Sequence, residues 1–364
     1  MRPDKRRNKH DGYWQDDNGM MTTGAGCDLR TGNWAGSKLD SGDYIGAAWG
    51  ASPYLTPYAE AIAANYSIQI PWYYSQKVSV QSGGFNRSIF TTRPYLYDVL
   101  IIGMSAKSIS NPAFTPLIGL QIMDLQRAIP WVSPNTVGYA PLGSLAGIDL
   151  NPMPILKLPE AFFLPAHTMM RIETTAITEE NVGLIEATIT FVGIQLVNPP
   201  AFTTPETIKM PNGDVIKVGS RMPWLSTVPF GRQEFDPARG RMWGLWGLIQ
   251  GERAMQFLPP ADCDVEIHDA YSDIFDAAVI PPDQVQFLTI KLTDMRSRSD
   301  WTPGRAPATA VLGSERQAFP GIPFTKPHLL LTGHRVAISL QNNSITNVIE
   351  SGVLTLRGVR LCEY

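Results

Sequence analysis

The chain has little charge, little cysteine and no long apolar run. Asp, Glu, Lys and Arg make up 17% of its 364 residues, 33 acidic against 30 basic, for a formal net charge of −3. Ordinary soluble domains carry about 25%. So sparse and balanced a charge excludes a highly charged disordered protein, and a protein that coats nucleic acid with its whole surface. The three cysteines, Cys27, Cys263 and Cys362, are far apart and form no Cys-x-x-Cys pair. A zinc ribbon and a thioredoxin-type centre are therefore excluded, and the three read as reduced, mostly buried thiols. The longest apolar runs, such as Val99 to Met104, have strand length, whereas a membrane-spanning helix takes roughly 20 residues. No apolar stretch follows the basic start Met1 to His10, so a secretory signal is not expected, and the chain reads as made in a cytoplasm.

Catalytic signatures are also missing. The sequence has no Gly-x-Ser-x-Gly elbow and no Gly-Lys-Ser/Thr phosphate loop, and Gly24-Ala25-Gly26 lacks the strand and helix of a dinucleotide loop. His167 and His334 lack the His-x-His partner of a cupin-type metal site and read as structural turn residues. Asp264, Glu266 and His268 would share one face of a strand, with Val265 and Ile267 on the other. Such a row could hold a divalent cation, but is more often the solvated face of an amphipathic strand. The expectation is a protein that is not an enzyme, with no cofactor, no metal and no small-molecule substrate.

What the chain does have is glycine, proline and aromatic residues: 31 Gly, 30 Pro, nine Trp, and 44% hydrophobic residues, enough for a sizeable core. Gly and Pro interrupt helices and punctuate β-rich chains, which excludes a coiled coil or helix bundle. Residues 1–64 stand apart. Nine glycines and scattered Trp and Tyr without period read as an extended N-terminal arm that gains order by lying on something else. Arg2, Lys5, Arg6, Arg7 and Lys9 give it a basic tip able to touch phosphates. The arm ends in a short helix candidate, with Thr56 as N-cap and Pro57 as its first residue.

From about residue 66 the pattern is β. Strands are expected at 77–81, 95–102, 117–125, 168–174 and 184–197. Asn198-Pro199-Pro200 then breaks the chain and sets a boundary between 65–198 and 199–364. Ile208 to Val218 is a hairpin whose Asn212-Gly213 suits a type I′ turn. Further strands are expected near 242–249, 264–268, 285–293, 329–340 and 352–362. Trp243 and Trp246 sit in one of these apolar stretches. Two arginine sets, Arg232, Arg239, Arg241 and Arg296, Arg298, Arg305, read as loop or interface residues.

The two halves resemble each other. Phe162-Phe163-Leu164 leads through two residues to His167, and Leu329-Leu330-Leu331 leads through two residues to His334. Each half then ends in a similar strand, Gly193 to Val197 or Gly358 to Cys362. Strand 97–104 leading towards Trp131 matches strand 287–294 leading to Trp301. A repeat this long is too large for a solenoid and has the size of a β-sandwich. The fold expected is all-β: two tandem β-sandwich, jelly-roll-like modules behind an arm, each starting with a strand that pairs with its own last strand.

An extended arm, two tandem β modules (the paired patterns 162–197 and 329–362) and no catalytic set resemble a virus or bacteriophage virion protein. In particular they resemble the double jelly-roll major capsid proteins of tailless icosahedral phages and related viruses. The resemblance implies a capsid protein located in the virion. Three chains would form a pseudo-hexagonal capsomer, and the partners would be copies of itself and other virion proteins. Residues 1–64 would tie capsomers together, with Arg2 to Lys9 facing genome or membrane. A neck, collar or spike protein of a tailed phage, a carbohydrate-binding module stacking sugars on Trp and Tyr, and a β-sandwich glycosidase are the alternatives.

Overall fold

The computed structural model describes residues 55–362 apart from 67, 82–84, 92–96, 110–117, 134–137, 148–154, 177–182, 198–204, 231, 237–240, 247–252, 258–262, 275–287, 303, 309–310, 312, 315–323, 325 and 344–351. The basic tip from Arg2 to Lys9 lies outside the described residues, as do the side chains of Trp243 and Trp246. Among the described residues, no helix is long and apolar enough to cross a membrane.

Helix α1 (Pro57–Ala63) begins as the sequence requires. The Thr56 hydroxyl accepts the Ala59 N–H, and Pro57 takes the first position, where its missing N–H costs nothing. Nine strands follow: β1 (Ile68–Gln81), β2 (Phe85–Thr91), β3 (Tyr97–Ser108), β4 (Ile118–Asp124), β5 (Ile129–Pro130), β6 (Ala140–Pro141), β7 (Leu156–Leu164), β8 (Met169–Ala176) and β9 (Leu184–Val197). They form one sheet in the order β1-β9-β3-β7 and a second in the order β2-β8-β4-β5, with β6 also on β4. The hairpin β10 (Thr207–Lys209) and β11 (Val215–Lys217) leads into the second half. There follow β12 (Arg221–Phe230), β13 (Arg232–Asp236), β14 (Arg241–Trp246), β15 (Arg253–Phe257), β16 (Asp264–Ile274), β17 (Leu288–Asp294), β18 (Ser299–Asp300), β19 (Ala306–Pro307), β20 (Gly313–Ser314), β21 (His328–Leu330), β22 (Val336–Asn342) and β23 (Gly352–Leu361). Their sheets run β12-β23-β16, with β20 and β21 on β16, and β15-β22-β17-β18, with β19 on β17.

The second set reproduces the first strand for strand, the hairpin β13–β14 and the short β20 being additions. In each set the first strand pairs with the last, and the third lies on the last strand's other side. Two Greek-key sheets facing each other in this order define a jelly roll. The fold is a double jelly roll.

The repeat extends to single residues. Strand β1 places Pro71-Trp72 opposite Ile194 and Gly193, and β12 places Pro223-Trp224 opposite Val359 and Gly358. Opposite each glycine the third strand bulges, between Ile101 and Gly103 in β3 and between Ile267 and Asp269 in β16. The bulge brings backbone so close that a Cβ on Gly193 would lie 2.2 Å from the Leu100 oxygen, and one on Gly358 would lie 2.3 Å from the Glu266 oxygen. Both prolines sit on strands at a sheet edge, where a missing N–H is tolerated. Asp124 and Asp294 end equivalent strands and each accepts two N–H groups of the following turn. Those turns pass through Ala128 and Arg298, both at positive φ, and reach Trp131 and Trp301, whose N–H groups bond to Ile122 and Leu292. Ala140-Pro141 pairs with β4 as Ala306-Pro307 pairs with β17.

Three expectations change in detail. His167 and His334 belong to the same turn but are not equivalent. His167 takes the positive φ that Gly333 takes in the second copy, so the partner of His334 is Thr168. The counterpart of β17 is β4 and not the 97–104 strand, whose partner is β16. In the β10–β11 hairpin only Gly213 has positive φ, and the Gly213 N–H closes onto Met210. With Pro211 following Met210, the loop is a longer turn rather than a two-residue type I′ turn.

Each jelly roll has its own core. The first is centred on Trp131, which is fully buried and edge-on to Phe162 at 5.0 Å. The second gathers Trp224, Ile267, Leu292 and Leu356. Strand β17 alternates buried and half-buried residues, as one covered face requires. Strand β3 is buried on both faces, because α1 and the β10–β11 hairpin cover its outer side over Leu100, Ile102, Phe163 and Leu196. The end of the expected arm, residues 56–64, is therefore folded onto this chain's own sheet, with Tyr58, Ala59 and Ile62 buried.

Candidate assembly site

The first place where jelly roll meets jelly roll is inside the chain. Strand β7 of the first module runs beside β12 of the second. Leu225, fully buried, donates its N–H to the Trp131 carbonyl and accepts the Ser133 N–H, at 2.9 and 2.8 Å. The Thr227 hydroxyl donates to the Tyr139 carbonyl at 3.2 Å. Met222 and Leu225 pack into the core cluster of the first module.

This seam carries charges in its interior. Arg221 reaches Glu160 of the first module at 3.1 Å and Glu266 of the second at 2.6 Å. Glu160 also accepts the Thr56 hydroxyl and the Ala161 N–H, so its carboxylate is held on several sides. Arg357 pairs with Asp269 at 3.1 Å and donates to the Lys157 carbonyl at 2.6 Å. Tyr58 accepts the Gly219 N–H at 2.5 Å, and burial pushes its hydroxyl up to about 12. Burial lowers Lys157. A buried ion pair adds little net stability, but removing one partner leaves an uncompensated charge, so such a seam fixes how the modules meet.

Asp264, Glu266 and His268 lie along β16, whose bulge falls between Ile267 and Asp269, and residues outside the row engage Asp264 and Glu266. Asp264 accepts the Thr332 N–H and hydroxyl at 2.8 and 2.9 Å. Its counterpart Asp98 accepts the Ala166 N–H of the equivalent turn at 2.7 Å, so this carboxylate is a repeated structural brace. Glu266 meets the Arg221 guanidinium where a cation would sit. Among the described residues, no group of His, Cys, Asp or Glu is arranged to hold a metal ion.

His268, whose Nε2 lies 3.8 Å from Glu266, and Arg221 together hold the Glu266 carboxyl down at about 2, against the burial that would raise it. A lowered carboxylate stabilises the fold above its unfolded value near 4.5 and loses that contribution as pH falls towards 2. Thermal melts from pH 5 to pH 2 are expected to show a decline that is shallower in Glu266→Gln. Parallel profiles for the two proteins would show that Glu266 contributes nothing.

Sequence reasoning missed Glu160, Arg221, Asp269 and Arg357. Arg357 lies on β23, a central strand, and its side chain is only 4% exposed. The available signal was an ionisable residue inside an apolar strand, as in Leu156 to Leu164 around Glu160.

No family model matches the chain, and no curated protein matches it. Among solved structures, the STIV MCP is similar at 12% identity over 81% of this chain and 98% of that one, with a TM-score of 0.42. A chain in the atomic structure of Sulfolobus Turreted Icosahedral Virus is similar at 11% identity over 81% and 91%, with a TM-score of 0.39. PNGase F, a glycosylasparaginase from Flavobacterium meningosepticum, is similar at 12% identity over 79% and 96%, with a TM-score of 0.25. All three TM-scores fall below 0.5, so the double jelly roll rests on strand order and register.

Proposed function

We propose that this chain is a virion structural protein, a capsid protein that self-assembles through trimeric capsomers to enclose a genome. The observation that carries the reading is the residue-level duplication of a jelly roll together with the charged, buried seam between the copies. Two near-equivalent building blocks fixed side by side form a tile, and tiles of one kind suit closed symmetric assembly. The low overall charge fits surface reserved for neighbouring copies and other virion proteins.

In this reading residues 1–64 form the arm, 65–198 the first module and 199–364 the second. Helix α1 anchors the arm to the first module. Arg2, Lys5, Arg6, Arg7 and Lys9 at its tip face the genome or a membrane.

Native mass spectrometry of the full chain is expected to show trimers and larger multiples of three, and electron microscopy closed shells. Removing residues 1–50 is expected to leave both jelly rolls folded, with an unchanged far-ultraviolet spectrum, while shell formation falls at least tenfold. Loss of folding in the truncated chain would contradict the arm assignment. A chain that stays monomeric at high concentration would contradict the capsid reading.

A further inference from the structure

Two of the three cysteines meet across a sheet. Strands β16 and β23 pair antiparallel from Asp264 opposite Leu361, so the next step of that ladder sets Cys263 opposite Cys362. The repeat gives the same pairing independently. Asp264 corresponds to Asp98 and Leu361 to Leu196, and in the first module the next step is the paired Tyr97 and Val197. Strands β12 and β16 flank β23 on opposite sides. The Cys362 N–H donates to the carbonyl of Ser220, just ahead of β12, at 2.8 Å. In an antiparallel ladder a residue's N–H and C=O point to the same side, so Cys362 turns its backbone bonds away from Cys263. The two therefore form a non-hydrogen-bonded pair, the kind whose Cα atoms lie about 4.5 Å apart and whose side chains come closest. That spacing falls within the roughly 4.4–6.8 Å that a disulfide spans. Directly opposite residues share a face of the sheet, and on that face Cys263 packs against the core of the second module. Both residues are half-buried, within reach of a small reagent, and in the structure they are thiols.

We infer that Cys263 and Cys362 form a redox-controlled clasp. A low-molecular-weight disulfide, such as oxidised glutathione, converts them to an intramolecular disulfide that fastens the end of β23 to the start of β16. One protein thiolate attacks the S–S bond of the reagent and releases one reagent thiol. The second protein thiolate then attacks the mixed disulfide and releases the other. The protein loses two electrons and two protons, and the reagent, gaining both, becomes two thiols. The backbone needs little movement, because Thr332 holds Asp264 beside Cys263, and Ser220 holds Cys362. The first module has Tyr97 and Val197 at these places, so the clasp belongs to the second module. The link closes a loop from residue 263 to residue 362 that takes in β16 to β23, and long loops gain the most from closure. A reducing cytoplasm keeps the pair as thiols and an oxidising surrounding closes it, so the stability of the second module follows the compartment. The clasp stands independently of the capsid reading.

The test incubates the full chain with oxidised glutathione and maps its peptides by non-reducing mass spectrometry. A peptide joining Cys263 to Cys362 within one chain is expected. The oxidised chain is expected to melt about 5 °C or more above the reduced one. Cys263→Ser and Cys362→Ser should each lose that rise, while Cys27→Ser should keep it. Chains in which Cys263 and Cys362 end as separate glutathione adducts, or joined to Cys27 or to another chain, would overturn the proposal. A Cys263–Cys362 link that leaves the melting temperature unchanged or lowers it would overturn it as well. The peptide map is read on the parent chain, so it decides even where a serine variant fails to fold.

Discussion

Replacing Arg357 by leucine is expected to destabilise the second module by about 3–5 kcal/mol, the range for breaking a buried ion pair from one side. The loss comes from what remains. Asp269 would stay buried without its 3.1 Å partner, and the Lys157 carbonyl would lose its donor across the seam. Burial already raises the Asp269 carboxyl above its ordinary value, against the pull of Arg357. Without Arg357 that rise should grow. The variant's deficit should therefore shrink as pH falls and Asp269 takes up a proton, the reverse of the Glu266 case. Urea unfolding of Arg357→Leu, Asp269→Leu and the double variant should show strong coupling, with the double variant more stable than either single one. Additive losses, or a loss below about 1 kcal/mol, would mean the pair is solvated rather than buried.

Valine at Gly358 is the second large expected effect. The new Cβ would lie 2.3 Å from a backbone oxygen held in place by a bulge, where no flexible side chain can move aside. Overpacking costs about 1–3 kcal/mol where side chains can adjust, so a backbone collision should reach or pass the top of that range. Gly193→Val should cost a similar amount in the first module, since its Cβ would lie 2.2 Å from the Leu100 oxygen. Matched losses would establish the two glycines as one feature present twice. A neutral valine at either site would show that the bulge relaxes and that the close approach is incidental.

Much of this fold was legible because strands advertise their buried faces. The spans 184–197 and 352–362, the Thr56–Pro57 helix start and the general likeness of the halves all follow from periodicity and cap chemistry. The early part of β1 was hidden, because Pro71 breaks the alternation that an edge strand nevertheless tolerates. The match between β3 and β16 was hidden for a different reason. Their outer faces meet different neighbours: Leu100 and Ile102 lie under α1, while Glu266 and His268 lie beside the seam. The chemistry of that face diverged although the backbone did not, and β16 read as a row of possible ligands. The one-residue offset between His167 and His334 has a similar origin. Backbone angle, not side-chain type, defines the turn, and His167 accepts the conformation that Gly333 adopts freely. The seam itself was not legible, because nothing in a single sequence says that Arg221 and Glu160 face each other.

The central claim is that this double jelly roll is the repeating tile of a shell. Copy number within a purified particle, counted by cryo-electron microscopy, tests it most directly. The account predicts hundreds of copies per particle, arranged as trimeric capsomers. A dozen to a few dozen copies at a single location, as in a collar or spike, or a particle shell built from a different protein, would contradict it.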